Sequence, residues 1–317
     1  MPQTDGLAVL FIPCYVDGLP YTAASARIRA RWPAKYWPEA DVYPRMTMPF
    51  GEYDAFIFQK AYLTDFPRHA IRSLRARGNK LLAFDLCDAD WEQSGTHESR
   101  LLSVLPLFDF AVSPTRALQQ YLGRWIPAEV IPDRLDLSEF REWHENIPGK
   151  PLSLIWFGYS HNLDELVALW SEIEPLMNEH SLRLTILSDA LPDRWKDRTW
   201  VWGQKARFVK WTEDGANGEI ARHDVALTPQ RNPYKSSNRA ITAQALGVVP
   251  VSTAEDLENQ LDYNTRQRCA ELGRRRVEQE YDVRLSVDDW KRLLDKYQTR
   301  RVVADSYCGY GQKAKGV

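Results

Sequence analysis

YKSSNRAITAQALGVVPVST, residues 234–253, is the stretch on which the fold turns. A helix-forming run at 237–246 stops at Gly247, and GVVPVST at 247–253 reads as a buried strand, so the segment is one helix-to-strand step of a parallel sheet. Ala240, Ala243 and Gly247 keep one side of the helix thin, which allows close approach to a sheet. Ser236 or Ser237 stands where a helix cap is expected, with Asn238 and Arg239 in the first turn. N–H groups at such a start lack intrahelical partners and carry partial positive charge, and with Lys235 and Arg239 beside them they suit a diphosphate. The same residues equally describe an ordinary capped helix with solvated basic side chains.

Outward from that segment, short apolar runs alternate with helix-compatible stretches along the chain. Strands are expected at 7–15, 53–62, 79–88, 108–114 and 128–133, with helices at 25–36, 66–77 and 114–122. A polar stretch at 136–150 separates them from a second series, with strands at 152–160, 181–189, 206–211, 223–229 and 247–253. Its helices are expected at 162–178, 216–222, 237–246 and 264–281. A final helix at 286–297 carries Trp290, Leu293 and Leu294 at helical spacing, and the tail after Ser306 is expected to fray. Two similar series imply an α/β protein of two doubly wound, Rossmann-like domains with a cleft between them. The domains are expected at 1–148 and 149–285, with a last segment at 286–317.

Composition narrows the function classes. The 317 residues are 44% hydrophobic and include 12 Trp, 14 Tyr and 11 Phe, which excludes a disordered chain. Lys and Arg number 41 against 43 Asp and Glu, so nucleic-acid affinity would need a local patch. Cys14, Cys87, Cys269 and Cys308 have no paired short spacing, which argues against a zinc knuckle, a redox dithiol or a disulfide framework. No basic leader precedes the first apolar run and no stretch is long enough to span a bilayer, so a cytoplasmic location is expected.

The 234–253 segment resembles the C-terminal half of GT-B glycosyltransferases, in particular retaining enzymes related to glycosyltransferase family 4. Ala245, Gly247, Pro250 and Val251 match the family's A-x-G-x-x-P-V signature. Lys235, Ser236, Asn238 and Arg239 follow a Lys-Ser-x-Asn-Arg pattern found in one branch. Many members carry two Glu eight residues apart, the second on the donor ribose; Tyr234 and Thr242 stand there in this chain. IWFGYSHNLDEL (155–166) is similar to the family's first donor-domain strand and Gly turn, and ARHDVALTPQ (221–230) to the strand before the signature helix. SARIRARW (25–32) resembles the Ser-x-Arg-x-Arg opening of the first helix of some members, after a loop, GLPYTAA, that would face the cleft.

The resemblance implies transfer of a sugar from a nucleotide sugar, a UDP-sugar by default, to an acceptor hydroxyl, with no cofactor and no metal, and a C-terminal segment, 286–317, that crosses back to the first domain. Donor contacts would come from Gly158, His161, Asn162, Lys235, Ser236, Ser237, Asn238 and Arg239, with Lys210 and Trp211 at the base. Spacing two apart puts Arg27 and Arg29 on different helix faces, so one of them, not both, would reach the acceptor. FDLCDADW (84–91) places Asp85, Asp88 and Asp90 past a strand end, where carboxylates orient a hydroxyl or act as its base; Asp88 is the preferred catalytic residue. Turn or capping roles fit the same three residues. If the retaining resemblance holds, Asp88 positions the acceptor; inversion would make it a base. Two alternatives stand beside this reading. One is a phage-type DNA glycosyltransferase acting on a hydroxylated base, with Arg27, Arg29, Arg31 and Lys35 on phosphates. The other is a non-catalytic nucleotide-sugar-binding protein. An oxidoreductase is disfavoured because no Gly-x-Gly-x-x-Gly follows the first strand.

Overall fold

The computed structural model describes residues 6–14, 23–43, 51–63, 66–92, 95–191 and 206–313. The GLPYTAA loop lies largely outside them. The chain divides into two compact units: Met1–Arg134, Pro233–Ser236 and Val283–Val317 form the first, Leu135–Asn232 and Ser237–Asp282 the second.

The first unit holds a parallel sheet of β1 (Val9–Ile12), β2 (Ala40–Val42), β3 (Ala55–Gln59), β4 (Leu81–Asp85), β5 (Phe110–Ser113) and β6 (Ala128–Val130), in the order β2-β1-β3-β4-β5-β6. Both faces are buried, which is why β3 and β4 run apolar from Ala55 to Phe58 and from Leu81 to Phe84 rather than alternating, with Gln59 and Asp85 as their last residues. Leu10, Phe56, Phe58, Leu82 and Phe84 point into one core. Their neighbours Val9, Phe11, Ile57, Ala83 and Phe110 point into the other. The first helix begins as α1 (Ala24–Ala26), passes through a π-helical turn (Arg27–Arg31) and continues as α2 (Trp32–Lys35). α3 (Phe66–Arg77), α4 (Gly95–Val104) and α5 (Arg116–Leu122) follow.

The second unit holds β7 (Ser153–Phe157), β8 (Arg183–Ser188), β9 (Ala206–Lys210), β10 (Val225–Leu227) and β11 (Val249–Val251), all parallel, in the order β11-β10-β7-β8-β9. Its helices are α6 (Leu163–Glu179), α7 (Ala216–Ile220), α8 (Asn238–Ala245), α9 (Ala254–Asn259) and α10 (Tyr263–Glu280). Residues 135–148 belong to this unit through specific bonds. Leu135 N–H donates to Tyr281 O at 2.8 Å and His144 N–H to Leu246 O at 2.8 Å. Asn146 Oδ1 accepts from Arg266 Nε at 2.9 Å.

The last helix, α11 (Val283–Lys313), is part of the first unit, where Trp290, Leu293, Leu294 and Tyr297 complete the second core. The Tyr297 ring stacks on Phe110 at 4.1 Å and Trp290 meets Phe11 edge-on at 6.0 Å. Its backbone stays helical beyond Ser306, where fraying was expected. Three elements present in the structure were not expected from the sequence: β2, α4 and α9, whose short or polar sequences give no apolar period.

Candidate functional site

In open parallel sheets, ligands bind outside the carboxyl ends of the strands, where the strand order reverses direction. In the second unit that point lies between β7 and β10. Gly158 follows β7 at φ +155, and a Cβ there would lie 3.4 Å from the Trp156 ring and 3.6 Å from Arg239 Cδ. Its carbonyl accepts from Ser188 Oγ at 2.8 Å. Arg239, in the first turn of α8, sends Nη2 to Pro229 O at 3.0 Å, just past β10, and to the Glu165 carboxylate. Its guanidinium lies over Trp156, 5.8 Å from the ring centre. Among the described residues, two buried donors there have no partner: Arg239 Nη1 and Trp156 Nε1.

The start of α8 differs from expectation in one respect. Ser237 is the N-cap residue but its side chain makes no capping bond. Ser236 does not cap either, because its Oγ donates to Asp133 Oδ2 at 2.6 Å. The first-turn amides of α8 therefore keep their partial positive charge beside Arg239, as an anion site requires. The helix ends at Gly247, whose φ of +77 and closeness to the Trp143 ring, 2.9 Å from a notional Cβ, demand glycine.

Other expected donor residues of this unit sit around the same strand ends. Ser160 N–H donates to Asp189 Oδ1 at 2.7 Å; burial opposes the Asp189 charge, and the bonds from Ser160 and Ser188 outweigh it and lower its pKa. His161 is exposed and stacks on Tyr159 at 5.6 Å. Asn162 is the N-cap residue of α6, without a side-chain cap bond. Lys210 ends the edge strand β9, and Trp211 N–H donates to Ser188 O at 2.8 Å, which sets this pair two strands from β7.

In the first unit the order reverses between β1 and β3. Lys60 directly follows β3 with φ +47, and its Nζ reaches Asp88 Oδ2 at 2.6 Å and Asp90 at 3.1 Å. Tyr62 O–H donates to Asp90 Oδ2 at 2.5 Å. Gln59 bridges the two neighbouring cysteines, accepting from the Cys14 backbone N–H at 3.0 Å and donating to Cys87 Sγ at 3.7 Å. Burial pushes both thiols up, Cys14 to about 11, against the pull of Lys60. Burial also acts against the Asp88 charge, but Lys60, Cys87 and Lys235 outweigh it and hold the carboxyl below its ordinary value. β4 ends at Asp85, so Asp88 stands in the loop three residues on.

Arg29 and Asp85 are not free to touch a ligand. Arg29 Nη2 meets Asp85 Oδ1 at 2.6 Å, its Nη1 donates to Ile131 O at 2.7 Å and to Asp133 Oδ1 at 3.1 Å, and both partners of the first pair are about 3% exposed or less. Burial works against the Arg29 charge, and Asp85 and Asp133 raise its pKa beyond the usual arginine value despite it. Burial raises Asp85 against the pull of Arg29. Arg27 is half-buried, its guanidinium 5.2 Å from the Trp32 ring.

The Lys-Ser-x-Asn-Arg segment is divided. Tyr234, Lys235 and Ser236 belong to the first unit, where Tyr234 meets Trp91 edge-on at 5.5 Å, while Ser237, Asn238 and Arg239 open α8 in the second. Sequence reasoning passed over Lys60, Asp133, Trp156 and Glu165. A Lys immediately after a buried strand, in FIFQK, was the one legible signal. Among the described residues no group of three or more His, Cys, Asp or Glu could hold a metal ion, and no helix is long and apolar enough to cross a membrane.

No family model matches the chain, and no curated protein matches it by sequence. Solved structures do match in fold. An α-glucosyltransferase in complex with UDP and a 13-mer DNA containing an HMU base superposes with a TM-score of 0.66 at 10% identity, over 93% of this chain and 100% of that one. A glycosyltransferase from Rickettsia africae gives 0.64 at 11% identity, over 93% and 98%. The catalytic domain of starch synthase IV from Arabidopsis thaliana, bound to ADP and acarbose, gives 0.64 at 9%, over 94% and 100%. The two parallel sheets and their helices thus have the fold of GT-B glycosyltransferases.

Proposed function

We propose that the protein is a glycosyltransferase that moves a sugar from a UDP-sugar to an acceptor hydroxyl with retention, in the cytoplasm and without a metal ion. The observation that carries this reading is the reversal point of the second sheet. There an uncapped helix start, the Arg239 guanidinium and the Gly158 turn come together, with unpartnered donors on Arg239 and Trp156. As the bond from the anomeric carbon to the phosphate oxygen breaks, the diphosphate takes the electron pair and gains charge. Oriented donors at that spot stabilise the transition state more than the ground state. The acceptor oxygen forms the new bond on the same face, and its proton passes to the departing phosphate oxygen, so no protein base is required. Asp88, charged beside Lys60, then orients the acceptor. Burial of Arg29 takes one of the four cations away from the DNA-phosphate alternative.

A thermal-shift screen of UDP-, GDP-, ADP- and TDP-sugars tests the reading, followed by measurement of nucleoside diphosphate release. Stabilisation by UDP-sugars with UDP release supports it. Stabilisation without release in the presence of saccharide, small-molecule and hydroxymethylated-DNA acceptors would instead make the protein a nucleotide-sugar binder.

A further inference from the structure

We propose that Lys60 is a positioning residue for the acceptor: it fixes the Asp88 carboxylate as a charged, directed hydrogen-bond acceptor, so that Asp88 grips the acceptor hydroxyl without taking its proton. This rests on the glycosyltransferase reading above.

Four observations converge on it. Lys60 stands at the strand-order reversal of its sheet, the position where such folds place ligands. Its φ of +47 is a conformation that glycine adopts freely and a lysine adopts only under strain. A strained backbone is retained here together with a charged side chain that is only 10% exposed. That side chain is directed wholly at carboxylates, Asp88 at 2.6 Å and Asp90 at 3.1 Å, and Tyr62 fixes Asp90 from its other side.

The Asp88 carboxylate itself is asymmetric. Oδ2 accepts from Lys60 Nζ at 2.6 Å and from Cys87 Sγ at 3.4 Å, while Oδ1 accepts nothing among the described residues and the side chain is 45% exposed. One oxygen is held and the other is presented. A general base needs a pKa near the working pH, and a carboxylate clamped by an ammonium moves the opposite way. The groups facing Asp88 are Lys60, Cys87 and Lys235; those facing Lys60 are Cys14, Tyr62, Asp85, Cys87, Asp88 and Asp90.

The test is carboxyl NMR of the full chain carrying ¹³Cγ-labelled Asp, with Asp88→Asn identifying the Asp88 signal. The Asp88 midpoint should rise by about one unit or more in Lys60→Met and Lys60→Gly, and stay near wild type in Lys60→Arg. Lys60→Gly relieves the backbone strain, so it keeps the test open if Lys60→Met fails to fold. Release of UDP from UDP-glucose, with water as acceptor, should fall at least tenfold in kcat in Lys60→Met with KM within twofold, and recover in Lys60→Arg. An unmoved Asp88 midpoint in folded Lys60→Gly overturns the proposal. A moved midpoint with wild-type UDP release in Asp88→Asn overturns the gripping role while the Lys60–Asp88 coupling stands. A wild-type chain that binds and cleaves no nucleotide sugar overturns instead the reading beneath it.

Discussion

Asp88 and Arg29 show how differently two charged residues of one unit can be employed. Arg29 is enclosed by Asp85, Asp133 and a backbone carbonyl, a buried network whose disruption would leave an uncompensated charge. Asp88 is anchored through one oxygen and presents the other. Asp88→Asn keeps the size and removes the charge, so sugar transfer is expected to fall at least about tenfold, near 1.4 kcal/mol in the barrier, with UDP binding unchanged by calorimetry. Unchanged transfer would leave Asp90 as the acidic candidate in contact with Lys60. The carboxylates were legible in FDLCDADW because three Asp past an apolar run mark a strand's end. Their division of labour was not, since it depends on Arg29, Lys60 and Asp133, which are 25 or more residues away in sequence and meet them only through the sheet.

Among the elements, α8 is the one whose sequence was read most fully. Small residues on one face, Gly247 as its stop and a buried strand after it all agree with the structure. The cap was misread, because Ser236 looks like a capping residue locally and is instead drawn to Asp133, 103 positions earlier. The π-helical turn at Arg27–Arg31 was equally invisible to a 3.6-residue period. Gly247 joins a left-handed φ to a tight contact with Trp143, so Gly247→Ala should destabilise the fold by at least about 1–3 kcal/mol in a denaturation experiment. Wild-type stability in that variant would show that the turn has another conformation open to it.

Over the whole molecule, the alternation of apolar runs predicted both sheets, because parallel strands buried on two faces leave continuous apolar stretches. The four passages of the chain between units were less legible, since Pro233–Ser236 and residues 135–148 are held to their units by particular bonds and are not marked by composition. One such bond sets a pH dependence. Burial opposes the charge of Asp224, but His144 and Ser153 hold it at about 2. A folded pKa below the unfolded value of about 4 contributes stability above pH 4 that is lost as pH falls through 2, about 2 kcal/mol in all. Asp224→Asn should therefore flatten the acid limb of stability against pH, measured by urea unfolding from pH 6 to pH 2; a limb as steep as wild type would remove Asp224 from that role.

On the proposed reading the start of α8 and Arg239 receive the diphosphate of a nucleotide sugar. Titration of wild-type and Arg239→Ala protein with UDP by calorimetry, with thermal unfolding of both as the control, decides whether they do. Wild type should bind UDP, and Arg239→Ala should bind about 1–3 kcal/mol more weakly, roughly five- to a hundredfold, at a similar melting temperature. Equal affinity in the two folded proteins, or no binding of UDP by wild type, would contradict the claim.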